Sequence, residues 1–158
     1  LADEATSALD PKATADVLTK VHASNQKVIR AAQLAKDRAQ SREVIDFAST
    51  LVTDHTAMDE KLMDFAKRHN IELGMTAKGA AALDKKDMDN LTDIAAGDQF
   101  DMQFVQMMRD EHKKMVDELT RVHKASNDPM LKEFIDEILP TLKEHQETAE
   151  DLLDKARI

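Results

Sequence analysis

The 158-residue sequence predicts an all-α fold, a ferritin-like four-helix bundle with a short helical insert between its second and third long helices. Three observations carry that expectation. Ala, Leu, Lys, Asp, Glu, Gln and Met fill much of the chain, and most of these are good helix formers. Three Gly and three Pro leave few helix breakers. Apolar residues recur at three- and four-residue spacing over four long stretches, the period of a helix with one buried face.

Residues 1–10 read as an N-terminal tail and residues 11–158 as one bundle domain. Asp10-Pro11 offers a capping side chain followed by Pro at the first helical position. The stripe Leu18, Val21, Val28, Ala32, Ala35 and Ala39 then defines a first helix ending near residue 38. Ser41 is positioned to cap the second, with Glu43 suiting its positive end. Its stripe runs Ile45, Ala48, Val52, His55, Asp59, Leu62 and Ala66, flanked by Leu51, Met58 and Phe65. His69-Asn70 should end it, because Asn tolerates a left-handed cap.

Ala80 to Leu83 and Met88 to Ile94 predict the short insert. Whether that linker crosses the bundle end or runs down its side stays open. Gly97 breaks the pattern, and Asp98 can cap a third long helix carrying Phe100, Phe104, Met108, His112, Met115, Leu119 and Val122, ending near Asn127. Asp128-Pro129 repeats the cap-plus-Pro device. The fourth helix carries Leu131, Ile135, Ile138, Leu142, His145, Ala149 and Leu152, with Pro140 inside it as a kink or a source of a free carbonyl near residue 136.

A net charge of −9 argues against nucleic acid and against an anionic membrane surface, since no basic stripe exists to replace counterions. The absence of Cys excludes disulfides, thiolate zinc sites and cysteine nucleophiles. No apolar run is long enough to span a membrane, so no transmembrane segment is expected. The start at Leu1-Ala2-Asp3 fits a chain that has lost a signal peptide. No Walker motif, G-x-G-x-x-G, G-x-S-x-G or EF-hand loop is found.

The informative feature is where the histidines fall. His55, His112 and His145 sit on the apolar stripes of three different helices, each near mid-helix. Mid-helix points share one height whether neighbours run parallel or antiparallel, so the three rings can converge in one core layer. Buried imidazoles need partners, and a metal ion satisfies several at once. Asp59, one turn beyond His55, and Glu111, preceding His112, could complete the ligands or orient them.

Met58 and Met115 follow two of the His by three residues, and Met108 precedes His112 by four. Thioethers would favour copper, although Met is also an ordinary gap-filler in aromatic-poor bundles. The first helix offers only Asn25 or Val28 at this depth. His22, His69 and His123 read as surface or helix-end residues. Three His ligands suit Zn or Cu, with Ni or Fe less favoured. The residues three before each His are Val52, Arg109 and Leu142, so the Glu-x-x-His pairs of di-iron bundles are missing. The competing expectation is a structural or protein-interaction bundle whose His are hydrogen-bonded core residues. Catalysis is the third, and it needs a solvent path to the triad.

Three stretches also resemble the DUF4142 family: EVIDFASTLVTDHTAMDEKLMDFAKRHNIEL, QFDMQFVQMMRDEHKKMVDEL and ILPTLKEHQETAEDLL. The resemblance covers roughly residues 15–155. It implies a ferritin-like bundle exported from bacterial cells to the periplasm or beyond, with no settled activity. It maps that family's recurrent polar positions to Asp54, His55, Asp101, His112 and His145. It also implies a departure, because Val28 stands where the family often has Glu in the first helix. Soft Met donors near His55 and His112 would be one compensation.

Overall fold

Four long helices form because each of four long stretches can bury one stripe against the others. The structure, a computed structural model, describes residues 11–74, 85–86, 88–94 and 97–156. The helices are α1 (Pro11–Arg38), α2 (Arg42–Arg68), α3 (Asp98–Ala125) and α4 (Pro129–Ala156). No strand occurs among the described residues, and the fold is an all-α helical bundle. None of the described helices is long and apolar enough to cross a membrane. The tail at 1–10, the capping role expected of Asp10 and the helix expected at 80–83 lie outside the described residues.

Apolar burial divides into two clusters. One contains Leu18 and Val21 of α1, Leu62 and Phe65 of α2, Leu119 of α3, and Leu131, Ile135 and Leu142 of α4. The other contains Val28 and Ala32 of α1, Leu51 of α2, Phe100 and Phe104 of α3, and Ala149 and Leu153 of α4. The first cluster therefore takes the start of α1 and α4 but the end of α2 and α3. It follows that α1 and α4 run one way and α2 and α3 the other. The two tightest pairings are α1 with α2 and α3 with α4. Looser contacts join α1 to α3 and α2 to α4, which puts α2 and α3 at opposite corners.

That arrangement answers the question about the linker. Ile71 and Leu73 pack on the first cluster, whereas Leu91 is buried in the second with Met88 and Ile94 against it. The connection thus leaves α2 at one end of the bundle and has reached the other end by residue 88, where its described part is helical over residues 88–93. Such a crossover is required to start α3 at the same end as α2.

The helix ends partly follow expectation. Asn70 adopts φ 53° just past α2, as its tolerance of left-handed backbone predicts. Asp128 Oδ1 accepts the Met130 N–H at 3.0 Å at the start of α4. Two expectations need correction. Gly97, at φ 124°, is the N-cap of α3, and Asp98 is already inside the helix. Glycine suits that backbone, which side-chain-bearing residues rarely adopt. Ser41 stands at the N-cap of α2 without a side-chain capping bond. Asp101 of α3 instead holds the turn that enters the helix: its carboxylate accepts the Gln40 N–H at 3.0 Å and the Ser41 N–H at 2.8 Å. Helix α4 continues through Pro140, which is exposed.

Candidate metal centre

Between the two apolar clusters lies a polar layer. Helix α2 contributes His55, α3 His112, α4 His145 and α1 Asn25, and each is at most 3% exposed. The three His each offer a ring nitrogen, and these atoms all lie within 4.8 Å of one another. The ring centroids form a nearly equilateral triangle with sides of 5.1, 5.2 and 5.2 Å. No other such group of His, Asp and Glu occurs among the described residues.

Hydrogen bonds fix which nitrogen of each ring carries its proton. A neutral imidazole has one N–H and one lone pair. His112 Nδ1 lies 2.7 Å from the Met108 carbonyl oxygen, which can only accept, so the proton is on Nδ1. His55 Nδ1–H donates to Asn25 Oδ1 at 2.9 Å. The Asn25 amide cannot turn around freely, because its Nδ2–H donates to Asp59 Oδ1 at 3.1 Å. His55 Nε2 and His112 Nε2 consequently face each other 3.0 Å apart as two lone pairs. His145 Nε2–H donates to Asp54 Oδ2 at 2.8 Å. Its Nδ1 is buried and has no hydrogen-bond partner.

Burial also keeps protons away. Loss of water around the ring pushes the His55 pKa down from 6.5 to about 2, with His112 and His145 adding repulsion. Burial pushes His112 down to about 4, opposed by its bond to the Met108 carbonyl; His145 lowers it further, and Glu111 raises it. Both rings are neutral at pH 7. Two facing neutral nitrogens with no proton between them repel, unless an electron-pair acceptor sits between them. A metal ion is such an acceptor. With His145, the two rings form a donor set geometrically able to hold one.

Direct ligation by Asp59 or Glu111, one of the two roles the sequence left open for each, is not what the structure brings together. The Asp59 carboxylate accepts from Asn25 Nδ2 at 3.1 Å and Gln26 Nε2 at 3.0 Å, and pairs with His22 Nδ1 at 2.8 Å. It stands behind Asn25 and orients the amide that orients His55. Glu111 accepts from Ser24 Oγ at 3.0 Å and pairs with Lys27 Nζ at 3.1 Å. The reason is rotational. At about 100° per residue, a position four beyond His55 has turned about 40°, and one before His112 about 100°, enough to face α1.

Met58 and Met115 are buried in the first apolar cluster, beside Leu62 and Leu119, and Met108 is buried in the second. Thioethers thus belong to the apolar surroundings on both sides of the layer. Val28 is fully buried in the second cluster, and α1 meets the triad through Asn25. His123 pairs with Asp136 at 2.9 Å, and His69 caps the end of α2, both as helix-surface residues should. Spacing alone passed over Asp54 and the orienting role of Asn25. The signal for Asn25 was an amide midway along the stripe that Leu18, Val21, Val28 and Ala32 define in α1.

The profile of the family described as "Domain of unknown function (DUF4142)" matches residues 1–152, and the chain belongs to that family. No curated protein and no solved structure matches it.

Proposed function

We propose that this DUF4142 bundle binds one transition-metal ion in its core through His55, His112 and His145, with Zn or Cu suiting three imidazoles better than Ni or Fe. The observation that supports it is the convergence of three ring nitrogens, two of them unprotonated and facing each other 3.0 Å apart and the third a buried nitrogen with no partner. Asp54 and Asn25 act as orienters, each accepting the N–H on the far side of its ring, as carboxylates and amides do behind metal-bound histidines. Met58 and Met115 serve as apolar packing beside the ion, with their thioethers the nearest soft donors in sequence. The role proposed is buffering, sensing or stress protection in an exported compartment.

The test is metal content by plasma mass spectrometry. The chain is incubated with Zn, Cu, Ni or Fe and desalted, beside a His55/His112/His145→Ala triple variant treated identically. About one equivalent kept by the parent and lost by the variant is the expected result. No retention by either would leave the triad as a hydrogen-bonded core layer, and the bundle as a structural or interaction module.

A further inference from the structure

Imidazoles coordinate a metal in their neutral form and bring no charge to it, and the layer they occupy here is buried between two apolar clusters. An ion placed there must be balanced by charges a little further out, or its desolvation would be prohibitive. The surroundings supply them. Asp54 bonds His145 directly, Asp59 acts through Asn25, and Glu111 adjoins His112 in sequence. One ammonium, Lys27, pairs with Glu111. Three carboxylates against one ammonium leave a formal charge of −2 around the triad with every imidazole uncharged, that of His22, which pairs with Asp59, included.

We infer that the site is charge-matched to a divalent ion of borderline softness, Zn(II) being the type, and that these outlying carboxylates discriminate against Cu(I). The inference rests on the metal-binding reading above and deepens it. A dication brings the layer to neutrality. A monovalent ion leaves one formal negative charge uncompensated at the rim of the layer, where the Asp59 and Glu111 carboxylates are largely buried and that of Asp54 is 38% exposed. None of the carboxylates needs to touch the ion, so discrimination comes from charge and not from coordination number. Asp54 carries the most weight as a positioning residue, because it both fixes the His145 tautomer and holds a charge one hydrogen bond from the donor set.

Asp54→Asn separates those two roles. The amide oxygen can still accept the His145 N–H, so only the charge is lost. Zn(II) and Cu(I) are each titrated anaerobically into the full chain against a competing chromophoric chelator, for the parent, Asp54→Asn and Glu111→Gln. Asp54→Asn is expected to weaken Zn(II) about 10- to 100-fold. Cu(I), which feels half the attraction, should weaken by about the square root of that, roughly 3- to 10-fold. Glu111→Gln should show the same inequality independently. Equal losses for the two ions, no loss for either, or uptake of Cu(I) without Zn(II) would overturn the inference while leaving a metal site in place. Failure of the parent to take up either ion, or retention of both by the triple-Ala variant, would instead overturn the ligand assignment on which it rests.

Discussion

Protonating His55 or His112 would put a charge into a layer that water does not reach. The fold therefore holds both rings neutral well below their ordinary 6.5, to about 2 and about 4. The unfolded chain has no such restraint. Between pH 6.5 and 4 it takes up protons on these rings that the folded chain refuses. Stability should fall as pH drops through that window, by up to about 1.4 kcal/mol per pH unit for each ring, and the effect should vanish above pH 7. Urea unfolding at pH 7.0, 5.5 and 4.5 measures it, and His112→Leu is expected to flatten the slope. A flat profile in the parent would contradict the buried neutral rings. Protons also compete with metal for the same lone pairs, so bound metal should leave over the same range; a full equivalent retained at pH 4.5 would contradict imidazole ligation. At this scale the sequence disclosed the three His, because a stripe is a property of one helix alone. It did not disclose that Asp59 and Glu111 turn to α1, because that depends on which neighbour occupies which side.

Helix α2 starts without a side-chain cap of its own, and Asp101 of α3 anchors the turn before it across the end of the bundle. Asp101 is only 6% exposed, so its bonds to Gln40 and Ser41 are shielded from water. Asp101→Ala should cost about 1–2 kcal/mol, in the range for shielded N–H groups that lose a charged acceptor. For a chain of this size that lowers the melting temperature by roughly 2–8 °C. Metal stoichiometry should not change, since Asp101 lies far along α3 from His112. An unaltered melt would show that the two N–H groups find other acceptors. Helix ends governed by local chemistry were legible: α1 stops at Arg38, Asn70 takes the left-handed turn, and Asp128 caps α4. The start of α2 was not, because the turn that enters it is held by a residue sixty positions away. Nor was the course of the linker, which follows from where Leu73 and Leu91 find an apolar surface.

The bundle is two close-packed hairpins, α1–α2 and α3–α4, laid against each other with fewer contacts between them than within. His55 belongs to one hairpin, and His112 and His145 to the other. An ion bound by all three is bound only while the hairpins are docked, so it should raise the melting temperature by mass action. Zn(II) at about 100 times its dissociation constant should add about 2.7 kcal/mol. Calorimetric scans with and without Zn(II) and a chelator measure the gain, and the triple-Ala variant should show none. Equal gains in both proteins would place the ion elsewhere.

The division of the core by its polar layer has a consequence for how the helices find their vertical alignment. Two purely aliphatic clusters joined end to end would let a helix slide by one turn, about 5.4 Å, and exchange one Leu or Ala for another at little cost. The layer of Asn25, His55, His112 and His145 forbids that slip. Displacing any one helix would press its imidazole or amide against aliphatic side chains and strand the partners it left. Each stranded group would cost about 1–3 kcal/mol. The same four residues that could receive an ion thus act as a notch cut at one level of the bundle, and the chain keys itself to that notch before any ion arrives.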